Sequence, residues 1–180
     1  MVEKKNGLVI LDRDGTLIKH VPYLVEESLV ELIPKVGPSL RKLSELGFEL
    51  AIASNQSVIG LNLASESAVE KINNKVSKLL ETFGVFISYI CICPHIASDN
   101  CNCRKPSPGM GLEIFEALGY GPQNSIMVGD NVTDLEFARN LGIPSIQFNE
   151  NGQYSLMATR ICSNWDEVLA SVIELLPQSK

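Results

Sequence analysis

"GLVILDRDGT" occupies residues 7 to 16, and the fold can be read outward from it. Leu8, Val9, Ile10 and Leu11 form an unbroken apolar run, the pattern of a strand buried on both faces of a parallel sheet. The run then meets Asp12, Arg13 and Asp14, followed by Gly15 and Thr16. On an extended chain Asp12 and Asp14 face the same way, so two like charges converge at the end of a buried strand. Such a pair costs stability unless a cation or a reaction uses it. In parallel α/β sheets the ligand crevice lies beyond the carboxyl ends of the strands, which is where this pair falls, and Gly15 lets the chain turn away.

Further short apolar runs follow: "FELAIAS" (48–54), "VFISYICIC" (85–93), "SIMVG" (125–129) and "PSIQF" (144–148). They alternate with longer helical periods, which predicts an α/β fold, a Rossmann-like three-layer sandwich around a central parallel sheet. The first helix is expected near Ser39. Ser67 and Glu70 form a capping box before Val69, Ile72, Val76, Leu79, Leu80 and Phe83, which recur at helical spacing. Helices are also expected over residues 108–118 and 132–141, stopped by Gly119 and Gly142. A last one follows Asn164, with Glu167 completing its cap and Pro177 closing it. Two segments break the rhythm, 19–38 and 93–109, and insertions off a sheet usually carry substrate contacts. Neither is long enough for a separate cap domain, so a single domain over residues 1–180 is expected.

The chain has 180 residues, 45% of them hydrophobic, with a net charge of −6. Those totals describe a soluble protein with one real core, and the acidic balance argues against a nucleic-acid partner. Lys4 and Lys5 precede an apolar run, but Asp12 interrupts it too early for a signal peptide, and no stretch is long enough to span a membrane. A cytoplasmic monomer acting on a small molecule is expected, and its five cysteines are read as thiols or metal ligands before disulfides.

Other predicted strand ends supply partners for Asp12 and Asp14. "SNQS" places Ser54 and Asn55 at the same edge, a hydroxyl and an amide able to bond phosphate oxygens. "SIMVG" ends in Asp130, with Asp134 four residues on. Carboxylates gathered in this way suit Mg²⁺, a hard cation that also grips a substrate phosphate. Lys105, in "CRKPSPGM", offers a fixed cation for phosphate charge. Taken singly, each has a bland alternative: a turn acid, a loop start, a surface lysine. In this joint order they describe a phosphoryl-transfer site. Within the second insertion, Cys93, His95, Cys101 and Cys103 supply three sulfurs and one imidazole, a closed tetrahedral set for a structural Zn²⁺. That ion would stiffen the loop ending in Arg104 and Lys105. Cys91 reads as core, and Cys162 has no visible partner.

With "DRDGT", "SNQS", "RKP" and "GDNVTD" in order, the chain resembles the haloacid dehalogenase superfamily of phosphatases from about residue 7 to about residue 149. The resemblance implies that Asp12 is the nucleophile forming an aspartyl-phosphate and that Asp14 is the acid–base. It implies that Ser54 and Lys105 hold the phosphoryl group. Asp12, the Asp14 carbonyl and Asp130 would bind Mg²⁺, with Asp134 buttressing the site. It extends to substrate contacts at Arg13, Tyr23, Asn55, Gln56, Ser57, Arg104 and Asn131. The zinc loop with "CRKP" is similar to the branch holding heptose bisphosphate phosphatases and histidinol-phosphate phosphatases. "PGM" and "SNQS" lean to the heptose side, and the short zinc spacer leans to the histidinol side. Leu61 and Asn62 stand where heptose enzymes commonly carry Arg-Gly, and Asn131 where they carry Lys, which removes two cations. A sugar phosphate of the heptose bisphosphate type is the expected substrate, and histidinol phosphate the alternative. An inactive zinc-bearing interaction module is the reading from a different class.

Overall fold

The computed structural model describes residues 6–149 and 155–176. Lys4, Lys5 and Pro177, which entered the sequence reading, lie outside the described residues. The strands are β1 (Gly7–Leu11), β2 (Phe48–Asn55), β3 (Tyr89–Cys93), β4 (Ser125–Gly129), β5 (Ser145–Phe148) and β6 (Arg160–Cys162). They form one parallel sheet in the order β3-β2-β1-β4-β5-β6. The helices are α1 (Val36–Glu45), the single turn α2 (Ser57–Gly60), α3 (Glu66–Glu81), α4 (Gly109–Leu118), α5 (Val132–Leu141) and α6 (Trp165–Leu175).

Alternation along the strands splits the core in two. Val9, Leu11, Leu50, Ile52, Ile126 and Val128 pack with residues of α1, α3 and α6. Leu8, Ile10, Ala51, Ala53 and Met127 face the other way, onto α4 and α5. The sheet is therefore covered on both faces, the three-layer arrangement that the continuous apolar runs predict. No helix of the described residues is long and apolar enough to cross a membrane.

Register explains why the motifs meet. Leu11, the last residue of β1, pairs with Ile52 on one side and Val128 on the other, and β2 runs three residues further, to Asn55, while β4 runs one further, to Gly129. The Asp12 amide continues the ladder by donating to the Val128 carbonyl at 2.9 Å. Asp12 and Asp130 follow the last residues of β1 and β4, Ser54 is the penultimate residue of β2, and the three line one cavity at the carboxyl edge of the sheet.

Several boundaries differ from the sequence expectation. The run 85–93 is a strand only from Tyr89; before it, Val85 closes the end of α3 by donating to the Leu80 carbonyl. The α3 cap is Ser65, whose hydroxyl accepts from the Ala68 amide, while the Ser67 hydroxyl hydrogen-bonds to that of Ser65 at 2.9 Å. The first helix starts at Val36, ahead of Ser39, behind a left-handed Lys35 that carries no side-chain cap. Strand β6 was not foreseen, being three residues with one aliphatic side chain. Gly119 and Gly142 do terminate α4 and α5 in left-handed conformations, and Asn164 caps α6.

Candidate active site

Lys105 is the centre of the site. Its ammonium lies 2.5 Å from Asp12 Oδ1 and 2.7 Å from Asp134 Oδ1, and it donates to the Ala53 carbonyl at 2.7 Å. Only 3% of its surface is exposed. The Asn55 side chain fixes the backbone here, accepting from the Lys105 amide at 2.9 Å and donating to its carbonyl at 3.0 Å. Burial disfavours the ammonium, but Asp12 and Asp134 outweigh it and raise the Lys105 pKa, so the lysine stays charged. Burial lifts the Asp12 carboxyl above its usual range, against the pull of Lys105 and with a further push from Asp134 and Asp14.

Asp130 follows β4 and approaches the turn after β1. A Cβ on Gly15 would lie 2.5 Å from Asp130 Oδ2, and Gly15 has φ +86°, so both space and backbone demand glycine there. Burial, then Asp134, pushes the Asp130 carboxyl up to about 6. Oxygens of Asp12, Asp130 and Asp134 lie within 4.8 Å of one another. Lys105 offsets part of this negative charge and occupies Asp134, whose other oxygen accepts from the Asn131 amide at 3.0 Å. Asp12 and Asp130 remain as oxygen donors suited to a hard divalent cation.

Asp14 is held from two sides. Arg13 donates to it through Nε at 3.1 Å and Nη2 at 3.2 Å, and Gln56 Nε2 donates to Asp14 Oδ2 and to Ser54 Oγ, both at 2.8 Å. Asp12, Asp14, His20, Ser54, Arg104 and Lys105 border a cavity of about 360 Å³ that also reaches Asn131. An outer cavity of about 150 Å³, bordered by Tyr23, Gln56 and Ser57, shares Asp14, His20 and Asn55 with it. Tyr23 is 62% exposed in a left-handed conformation. A larger cavity of about 480 Å³, beside Glu66, Glu70, Ile90 and Ile92, contains none of the strand-end carboxylates. Asp12, Asp14 and Asp130 all line the cavity of about 360 Å³.

The candidate residues named from sequence converge here, with one qualification. Arg13 borders the outer cavity but is 1% exposed, with its guanidinium committed to Asp14 and Asn73. His20 is not among the predicted site residues; it is exposed on the first insertion, three residues before Tyr23, where the sequence flanking that tyrosine matches the family's substrate loop poorly. Trp165 was also missed: its indole donates to the Thr16 carbonyl at 3.1 Å across the length of the sequence.

Cys93, His95, Cys101 and Cys103 gather at the end of β3, their ligand atoms within 4.8 Å of one another. Sulfur–sulfur separations are 3.1 to 3.6 Å, with Cys103 Sγ 3.2 Å from His95 Nδ1. Tetrahedral zinc with Zn–S bonds of about 2.3 Å would space its thiolates by roughly 3.8 Å, so small outward shifts would seat the ion. All five cysteines are free thiols, and Cys91 belongs to the core beside α4. Arg104 is tied to this loop: its Nη1 donates to the His95 carbonyl at 3.0 Å and to Ser57 Oγ at 2.8 Å.

Carboxylates, a hydroxyl and a buried lysine at the carboxyl edge of a parallel sheet define a phosphoryl-transfer hydrolase. The chain belongs to the haloacid dehalogenase-like hydrolases, whose family model matches residues 23–142, and it is a phosphatase. It is 37% identical over 137 residues to a probable D-glycero-D-manno-heptose-1,7-bisphosphate 7-phosphatase of Thermoplasma volcanium, covering 76% of this chain and 94% of that protein. It is 31% identical to the histidine biosynthesis bifunctional protein HisB of Legionella pneumophila over 87% of this chain, spanning only 45% of that longer protein. The crystal structure of D,D-heptose 1,7-bisphosphate phosphatase from B. bronchiseptica, complexed with magnesium and phosphate, superposes with a TM-score of 0.84 at 25% identity. That match covers 93% of this chain and 98% of the other.

Proposed function

We propose that the protein is a Mg²⁺-dependent phosphatase of a sugar phosphate of the heptose bisphosphate type, working through an aspartyl-phosphate on Asp12. The observation that carries this reading is the Lys105–Asp12 contact of 2.5 Å inside a cavity that also holds Asp14, Ser54 and Asp130. The Asp12 carboxylate attacks phosphorus, the P–O bond to the leaving group breaks, and Asp14 gives its proton to the departing oxygen. Asp14, now a carboxylate, takes a proton from water as the water oxygen attacks the phosphoryl phosphorus, which frees phosphate and restores Asp12. Lys105 and the Ser54 hydroxyl hold the phosphoryl oxygens, and Asn55 keeps Lys105 in place. Asp12, Asp130 and the Asp14 carbonyl would hold Mg²⁺, which when bound neutralises charge on the transferring group.

Arg104, beside Lys105, presents a cation to the body of the substrate next to Tyr23, Ser57 and Asn131. Its Nη1 is spent on Ser57 and His95, so its remaining N–H groups meet the substrate. A hydroxyl-rich or anionic body suits that cation better than the amine of histidinol phosphate. The Cys93, His95, Cys101 and Cys103 set would hold a structural Zn²⁺, and thiolate ligands suit the reducing cytoplasm. On this reading one domain acts as a monomer. A second reading, histidinol-phosphate phosphatase, is favoured by the short zinc spacer and by the likeness to HisB over most of this chain. Side-by-side kcat/KM for the two substrates decides between them. A higher value for heptose 1,7-bisphosphate is expected, and a higher value for histidinol phosphate would replace the first reading with the second.

A further inference from the structure

We propose that Arg13 and Asn73 form a positioning pair that sets the angle of the Asp14 carboxylate for proton transfer. The inference rests on the reading of Asp14 as the acid–base. Arg13 is buried, and such a guanidinium is costly unless its donors are satisfied. Here they are shared between two partners. Nε and Nη2 fork onto Asp14, and Nη1 donates to Asn73 Oδ1 at 2.6 Å. The Arg13 carbonyl accepts from the Leu17 and Ile18 amides at 3.0 and 3.1 Å, so its backbone is anchored as well.

Asn73 sits on α3, is buried, and borders neither the catalytic cavity nor the outer one. It borders the larger cavity beside Glu66 and Ile90, and among the described residues its hydrogen bond toward the site is the one it accepts from Arg13. Rotating the Asp14 carboxylate means breaking the Arg13 fork, and the fork is braced from behind by the helix. Gln56 adds a donor to the same carboxylate from the β2 side and ties it to Ser54. A planar guanidinium suits this task because its fork fixes both distance and plane, whereas a lysine ammonium fixes only distance.

The test compares phenyl phosphate with p-nitrophenyl phosphate, esters of similar shape whose leaving groups differ in their need for a proton. The reported quantity is kcat/KM, which covers the steps through phosphoryl transfer to Asp12. Arg13→Lys and Asn73→Ala should lower it about tenfold or more on phenyl phosphate but less than about threefold on p-nitrophenyl phosphate. Asn73→Asp, which keeps an acceptor for Nη1, should retain most of the activity. In an Asp14→Asn background neither change should cost anything further, because the group being positioned is gone. Equal losses on both esters, or losses that add fully to that of Asp14→Asn, would overturn the proposal in favour of a structural role or direct substrate contact. Should Arg13→Lys fail to fold, the Asn73 variants give the same reading without touching the buried charge. If Asp14→Asn itself leaves phenyl phosphate turnover unchanged, the acid–base assignment fails; if it abolishes turnover while the Asn73 and Arg13 variants stay near wild type, only the positioning role fails.

Discussion

Asp134 Oδ1 lies 2.7 Å from the Lys105 ammonium, and both side chains are almost fully buried. Removing one member of a buried ion pair leaves the other charge short of a partner in a low-dielectric setting. Asp134→Ala should therefore destabilise the fold by on the order of 3 kcal/mol and lower activity through a misplaced Lys105. Asp134→Asn should cost less. Urea denaturation with parallel assays measures both, and a stability loss no larger than that of an exposed ion pair such as Arg41–Glu45 would contradict this account.

Trp165 should matter more than its distance in sequence from the motifs suggests. Its indole N–H reaches the Thr16 carbonyl in the turn that follows Asp14. Trp165→Phe keeps most of the apolar volume and deletes that bond, so a loss of about 1 to 2 kcal/mol in stability is expected, with a smaller effect on turnover. Thermal and denaturant melts check it. A neutral outcome would show that the turn is held by its own backbone bonds.

The thiol and imidazole cluster predicts about one tightly held zinc per chain, distinct from exchangeable Mg²⁺. Elemental analysis of protein purified without added metal reads this directly. Because Arg104 bonds the His95 carbonyl, Cys101→Ser should raise KM more than it lowers the melting temperature of the core. Zinc-free protein with two disulfides among these cysteines would reverse the assignment.

Acidity gives a further check. Burial first, and Asp134 second, raise Asp130 from 3.8 to about 6. A carboxyl raised in the folded state contributes stability that is present below its unfolded pKa and is lost as pH climbs through the folded one. Without Mg²⁺, stability from this group should thus fall between about pH 4 and about pH 6. With Asp130 as a proposed Mg²⁺ ligand binding in its carboxylate form, the thermal shift that Mg²⁺ produces should be small at about pH 5 and larger at about pH 7. Equal shifts at both would argue that Asp130 is not a ligand.

Much of the architecture was legible because burial on both faces leaves a mark in composition. The run ending in Leu11 is purely aliphatic and those ending in Ser54 and Gly129 are mostly apolar, and each leads into polar residues that line one cavity. Helix stops at Gly119 and Gly142 were legible because a left-handed residue at that position favours glycine. Strand β6 was not, since "RIC" carries too few residues for a period to show. Of the residues that line the candidate cavity, Asp12, Asp14, Ser54, Lys105 and Asp130 were legible as polar side chains within the motifs that follow the apolar runs. Supporting partners were not. Asn73 sits within an ordinary amphipathic helix and Trp165 within an ordinary core pattern, and only the packing of α3 and α6 on the sheet gives each its role.

Trapping the phosphoenzyme is the direct test of covalent transfer to Asp12. Enzyme mixed with ³²P-labelled substrate and quenched in acid within its first turnovers should carry label on the peptide containing Asp12, released by hydroxylamine as an acyl phosphate. Asp14→Asn should accumulate that label with a good leaving group, and Asp12→Asn should carry none and be inactive while remaining folded. Turnover at the wild-type rate by Asp12→Asn, or label found on a different residue, would contradict the account.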